Sequence, residues 1–575
     1  MGISMVISWL QEISSLRCEL VRWIGVGGVL LGGVADLSAQ DKEPPVRPKP
    51  HEVQIPEGLD EIAAKQHVAI QSLESTWGYW GVRPESYSSW TNHSNRLIPI
   101  YVFGASLAPY IDSNSMYRDP QRLKDLYGQV PVNTLNPGAT YADQTDVYRL
   151  QRTAIDSGKK KYVFLVVFDG MDWQTTQAAA IYRNRAVAYT QGRGKGLLFQ
   201  DYDRCQTDFG FFVSSSLGEE VDTDVDAQID KKESKKFGGY DASLGGSAPW
   251  ESFTDPQYLI GRNPKSPHVV TDSSSSASSM TAGVKILNGA INIKPDRTYV
   301  ETIAQWAQRE KGFAVGTVTS VPISHATPAA AYAVNVSRDD YQDLTRDMLG
   351  LPSVTHKSKP YPGLDVVLGA GFGETTKSNA GQGENFIPGN RYLADVDRDA
   401  VDVTKGDRLA KYVVAQRTPG KKGTLVLAQA AEQAIAGKHR LLGFFGAKNG
   451  HLPFQTANGD YKPVATVKGI EEYSSEDLLE NPKLSELTQA AIDVLASRSE
   501  RFWLMVESGD VDWANHANDI DSSIGAVFSG EEAVGSIFRW IEKQDAWEDS
   551  LVIVTADHGH YFNLVQPEAL IPTAR

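Results

Sequence analysis

Four stretches of this chain are apolar at nearly every position and end in polar residues. Tyr162–Phe168 precedes Asp169 and Gly170. Gly312–Thr319 leads into a loop holding His325 and Thr327. Phe502–Glu507 leads into Ser508, Gly509 and Asp510, and Ser550–Thr555 into Ala556, Asp557 and His558. A run with no polar alternation fits a strand buried on both faces, as in a parallel sheet. Helix-like patterns at 299–311, 425–438 and 526–543 lie between the runs. The alternation predicts an α/β fold: a three-layer sandwich with a mainly parallel central sheet and helices on both faces. In open sheets of this kind ligands bind at the C-terminal edge, where these polar residues fall.

The remaining pattern divides the chain. Arg17 and Arg22 precede a short apolar run, Trp23–Val34, and small residues follow up to Ala39. This predicts a signal peptide over 1–39 and a periplasmic or extracellular protein; the run is short for a membrane span. Residues 40–57, rich in Pro and charge, read as a linker. Residues 58–158 carry many aromatics, among them Trp77, Tyr79, Trp80 and Trp90, but no chemical pattern. They read as an N-terminal extension packed on a catalytic domain over 159–575. Within that domain, 201–265 is polar and Gly-rich and reads as a surface insert. Its Asp222, Asp224, Asp226, Asp230 and Glu233 approach the spacing of a calcium loop, but Ala227 stands where that loop needs Gly. A solvated acidic loop is the plainer reading.

Composition narrows the chemistry. The formal charge is −15, which indicates no nucleic-acid-binding face. With an anionic substrate, bound metals and a local Arg would have to reverse the field inside the site. The only cysteines are Cys18 and Cys205, and the first falls in the predicted signal. A disulfide framework and a Cys-based zinc site are excluded, so any metal is held by His and carboxylates.

Val270–Lys285 is the most informative segment. Asp272 and Ser273 open a run of small residues that ends at Gly283. Small side chains permit a tightly packed helix, and a Ser at its N-terminus faces backbone N–H groups that favour an anion. Alone, the run reads better as a flexible Ser-rich loop with Ser273 as a simple N-cap. The other strand ends decide it. Asp512 and His516 are four apart and share a helix face, as metal ligands must. Asp557 and His558 are adjacent after one strand, Asp169 follows another, and Glu507 ends a third. Carboxylates with imidazoles suit zinc and magnesium.

These motifs, in this order, resemble the alkaline phosphatase family. The likeness is carried by Phe168–Met171, by Thr271–Ser273 with Thr281–Gly289, and by His325–Ala330 followed by Ser337 and Arg338. Val506–Asp512 with His516, and Thr555–His558, complete it. It spans about residues 160–560 and leaves 58–158 and 201–265 uncovered. The resemblance implies hydrolysis of phosphomonoesters through a phosphoserine on Ser273, at a site of two zincs and one magnesium. Asp169, Thr327 and Glu507 would hold magnesium, with Asp169 also reaching zinc. Asp557, His558 and Ser273 would bind one zinc, and Asp512 and His516 the other. Arg338 would grip two phosphoryl oxygens. His325 and Trp513 stand where some members have Asp and Lys, a pairing known among bacterial members, and would tune the magnesium side from outside the ligand shell. The resemblance also allows a homodimer.

One departure stands out. The family has a third zinc-binding His well downstream of the Asp-His pair, whereas Arg575 comes 17 residues after His558. His560 is set aside as too near in sequence. The expectation is therefore a zinc site of Asp512 and His516 that is one ligand short, in a chain incomplete at its C-terminus or built differently there. A phosphodiesterase of the same superfamily, or a weakly active phosphate- or metal-binding remnant, is the alternative.

Overall fold

The structure, a computed structural model, describes residues 47–251, 255–405 and 409–573. Ten strands form its main sheet. In chain order they are β1 (Ile98–Phe103), β2 (Ala142–Asp143), β3 (Tyr162–Phe168), β4 (Thr207–Val213), β5 (Ala314–Pro322), β6 (Val366–Ala370), β7 (Tyr412–Gln416), β8 (Arg440–Phe444), β9 (Phe502–Ser508) and β10 (Ser550–Thr555). Across the sheet they lie β7-β8-β6-β5-β9-β3-β10-β1-β4-β2. Strand β1 is antiparallel to both neighbours, and all other pairings are parallel. The four apolar runs are β3, β5, β9 and β10, and they are adjacent. Register aligns their ends: Glu507 stands opposite both Thr319 and Val167, and Val167 opposite Thr555. Whatever follows these residues converges on one spot.

Side-chain alternation along β9 shows the two helical layers. Phe502 packs on Trp540, and the Ser508 hydroxyl donates to Ala526 O, both in the helix Ile520–Lys543. Trp503 points the other way and donates Nε1–H to Gln151 in the helix Thr145–Asp156. Strands covered on both faces need no polar alternation, which is why they read as solid apolar runs. The long helix starts at Ile520, earlier than its apolar period indicates. Its first turn is polar because Asp519 caps Ser522 N and Ser523 bonds Asn515.

Residues 58–158 are woven into this body. They supply β1, β2 and the helix Thr145–Asp156, and Gly78–Trp80 pairs antiparallel with Phe562–Leu564. Trp80 is buried there against Phe562, ring centroids 4.9 Å apart. The surface reading of 201–265 is corrected in part: Thr207–Val213 is strand β4, and Tyr240 and Tyr258 are buried in a second aromatic core with Tyr141. The acidic stretch is a small hairpin, Thr223–Asp224 on Ile229–Asp230. Its Asp224 and Asp226 accept from the Ala227 and Glu384 backbone, so these oxygens already have partners. The predicted signal and the linker up to residue 46 lie outside the described residues. Among the described residues no helix is long and apolar enough to cross a membrane, and Cys205 is a free thiol.

Candidate active site

The helix Ser273–Ala282 is buried along its whole length. Only Ser, Ala, Thr and Met occupy it, so it can approach the helices Thr145–Asp156 and Ala326–Ala330 closely; Thr281 even donates to Ala330 O. Asp272 caps it, accepting from Ser275 N at 3.0 Å. Ser273 therefore stands at its first turn, 2% exposed, with Oγ 3.1 Å from His558 Nε2. The other Asp272 oxygen accepts from Ser274 Oγ, Gly289 N and Arg338 Nη1, the last at 3.0 Å. Burial alone would raise the Asp272 carboxyl. The Arg338 charge and these hydrogen bonds outweigh it and hold the group at about 2.

Beyond Ser273 lies a knot of carboxylates. Asp557 is satisfied by Gly170 N, His558 N and Ser276 Oγ. Asp169 is not: both its oxygens are buried without a hydrogen-bond partner, as are Thr327 Oγ1 and Glu507 Oε1. A buried polar atom left unpaired costs about 1–3 kcal/mol, more if charged. Burial, then Asp557, Asp512 and Glu507, push the Asp169 carboxyl far up. Burial likewise raises Glu507 to about 8, against the Thr319 hydroxyl donating to its other oxygen. Asp169, His325 and Glu507 present donor atoms within 4.8 Å of one another, and so do Asp169, Asp557 and His558. Orphaned oxygens and mutually repelling carboxylates fit divalent cations, which would satisfy both at once.

Asp512 and His516 do share one face of the helix Asp510–His516, with Nε2 3.5 Å from Oδ1. Two further histidines meet them. His560 Nε2 lies 2.7 Å from Asp512 Oδ1, and His93 Nε2 3.5 Å from it. The ring of His93 stacks on His558 at 3.6 Å. Gly170 makes this approach feasible. It has φ +72°, and a Cβ there would sit 2.8 Å from His560 Cδ2 and 3.2 Å from Asp512 Cα. His560 follows His558 by two residues, a spacing that in sequence sets it apart from the expected ligand. His93 carried no local signal. His325 sits by the carboxylates; burial, then Arg338, lowers it to about 3. Trp513 lies edge-on to it, 6.1 Å between centroids, and against His451.

The structure thus brings Ser273, Asp169, Asp512, His516, Asp557 and His558 together at the sheet edge. Glu507 and His325 lie beside Asp169, with the buried Thr327 hydroxyl next to Glu507, and Arg338 is held through Asp272. A family model described as alkaline phosphatase matches residues 255–570. The chain is similar to the alkaline phosphatase of Escherichia coli (strain K12), 28% identical over 327 residues, which cover 55% of this chain and 63% of that protein. Alkaline phosphatase 3 of Bacillus subtilis (strain 168) is 30% identical over 308 residues, 53% of each. The chain spans less than two thirds of the length of these relatives. Among solved structures, the Thermus thermophilus alkaline phosphatase aligns with a TM-score of 0.41 and 21% identity, covering 70% of this chain and 60% of that one.

Proposed function

The chain belongs to the alkaline phosphatase family, and from that membership we propose that it hydrolyses phosphomonoesters through a phosphoserine on Ser273. One observation carries the proposal. A buried serine oxygen at a helix N-terminus faces a set of orphaned carboxylates, with a guanidinium fixed beside it. Asp169, Thr327 and Glu507 would hold magnesium; Asp169, Asp557, His558 and Ser273 one zinc; Asp512 and His516 the other. Bound there, the ions would offset the anionic charge, favour the serine alkoxide and stabilise the leaving oxygen.

The chain's own groups do the rest. Ser273 Oγ attacks phosphorus, and the new Oγ–P bond replaces the ester P–O bond. The alcohol leaves, taking up a proton. Water then attacks the phosphoserine from the vacated side, giving inorganic phosphate and restoring the Ser273 hydroxyl. Arg338, its fork oriented by Asp272, binds two non-bridging oxygens. The N–H groups of the first helical turn face the same charge. A monoester has a second ionised oxygen that a diester lacks. Arg338, together with a magnesium ion held by Asp169, Thr327 and Glu507, would neutralise that extra charge.

The test is turnover of p-nitrophenyl phosphate by the zinc- and magnesium-loaded chain. Activity should be lost in EDTA and fall at least about 10³-fold in Ser273→Ala. A metal-loaded chain that turns over bis-p-nitrophenyl phosphate faster would instead make it a diesterase. One that turns over neither ester would end the proposal. Export belongs to the same reading, and N-terminal sequencing of the mature protein from the periplasm or medium checks it.

A further inference from the structure

His93 reaches the site from the segment before β1. Its Nε2 lies 3.1 Å from His516 Nε2 and 3.5 Å from Asp512 Oδ1. His516 Nε2 is also 3.5 Å from that oxygen. The other nitrogen of each ring is committed. His93 Nδ1 lies 3.0 Å from the Thr271 carbonyl, and His516 Nδ1 2.7 Å from the Thr91 carbonyl. A carbonyl only accepts, so each Nδ1 carries the proton. With Nε2 deprotonated, both rings aim a lone pair at one point beside a carboxylate. Two lone pairs cannot hydrogen-bond to each other. A proton between them would serve two of the three donors, whereas a divalent cation serves all three. Backbone carbonyls on the far nitrogens are also what orients ligating imidazoles.

His560 has a different part. At 2.7 Å its Nε2–H donates to Asp512 Oδ1 and fixes the carboxylate. We infer that the metal at Asp512 and His516 takes His93 as its third protein ligand, so that the N-terminal segment completes the centre. Two imidazoles and one carboxylate, with a coordination position left open, are the donor set of catalytic zinc sites. The segment is held for this. Ser94 N and Oγ donate to the Gly559 and His560 carbonyls, and Trp90 Nε1–H donates to His93 O. Arg96 is buried against Asp172 and the Phe562 carbonyl. None of these contacts involves the metal, so His93 is in place before it binds.

The inference rests on the metal-dependent reading of the site and is tested without substrate. The metal-free full chain is titrated with zinc against a chromogenic chelator, and zinc per chain is counted by elemental analysis. His516→Ala identifies the site concerned. His93→Ala should lose the same zinc or bind it at least about 10-fold more weakly. His93→Gln, which can still donate to Thr271 O, should do likewise while the metal-free unfolding midpoint stays near that of the wild type. In the wild type, zinc should protect His93 from carbethoxylation. A folded His93 variant with unchanged zinc stoichiometry and affinity would overturn the inference, and so would His93 labelling that ignores saturating zinc. Neither result depends on turnover. A wild type that binds zinc through His93 but hydrolyses no ester would leave the inference standing and sink the phosphatase reading.

Discussion

Arg338 and Asp272 act as one unit. The guanidinium donates to a carboxylate that is itself fixed by the helix it caps. Arg338→Ala should weaken competitive inhibition by inorganic phosphate about 10- to 100-fold, the worth of one or two charge-assisted bonds. An unchanged inhibition constant would remove Arg338 from the phosphate site. The carboxylates make a second prediction at this scale. In the metal-free chain Glu507 titrates near 8 rather than near its ordinary 4.5. Between those values the native state holds a proton that the unfolded state has released. Stability therefore falls as pH rises through that window and levels off above it. Melting temperatures of the metal-free chain should decline from pH 4.5 to 8, and zinc with magnesium should make the decline shallower, leaving the part due to raised carboxyls elsewhere such as Asp340. A flat metal-free profile would refute it.

At the scale of elements, the nucleophile helix works because it is thin. Ala277 is fully buried in it, and no side chain larger than Met occupies its ten positions. Ala277→Leu should cost about 1–3 kcal/mol by overpacking. It should also lower kcat, because the displaced helix carries Ser273 away from His558. Chemical denaturation and p-nitrophenyl phosphate kinetics on the same sample would read both effects; a stable variant with full kcat would show that the helix has room to spare. The helix was legible as Asp272-Ser273 followed by small residues. So were the Asp512/His516 face and the four strand ends, because period and adjacency are local properties of sequence. Strands β1 and β4 were not. Pro99 breaks the apolar run of one, leaving only Ile100–Phe103, and Asp208 and Gly210, both poor strand formers, weaken the other. Both are fixed by neighbours: Ile98–Phe103 pairs with Phe212–Thr207 on one side, and Ile100–Phe103 with Thr555–Val552 on the other.

For the whole molecule the same contrast applies to the proposed metal centre. Donors that follow a sheet strand in sequence were found, whereas His93 was not, because its position depends on Ser94 meeting Gly559 across the fold. No window of sequence contains both. The net charge of −15 is compatible with the proposed function at this scale: there, cations and Arg338 are needed only inside the site, where they would face the anion.

Strand β1 has a further consequence, for timing. It lies between β10 and β4, so the strand leading to Asp557 and His558 is bordered by a segment made far earlier. Ser94 and His560, which bond directly, are 466 residues apart. At ribosomal speeds of about 5–20 residues per second, roughly 20–90 s separate their synthesis. Throughout that interval the early strand has no partner on its β10 side, and the sheet cannot close. Such non-local closure is slow, and it leaves the nascent chain loose and inactive. Under the export proposed above, this delay would keep the chain threadable during its passage through a membrane pore.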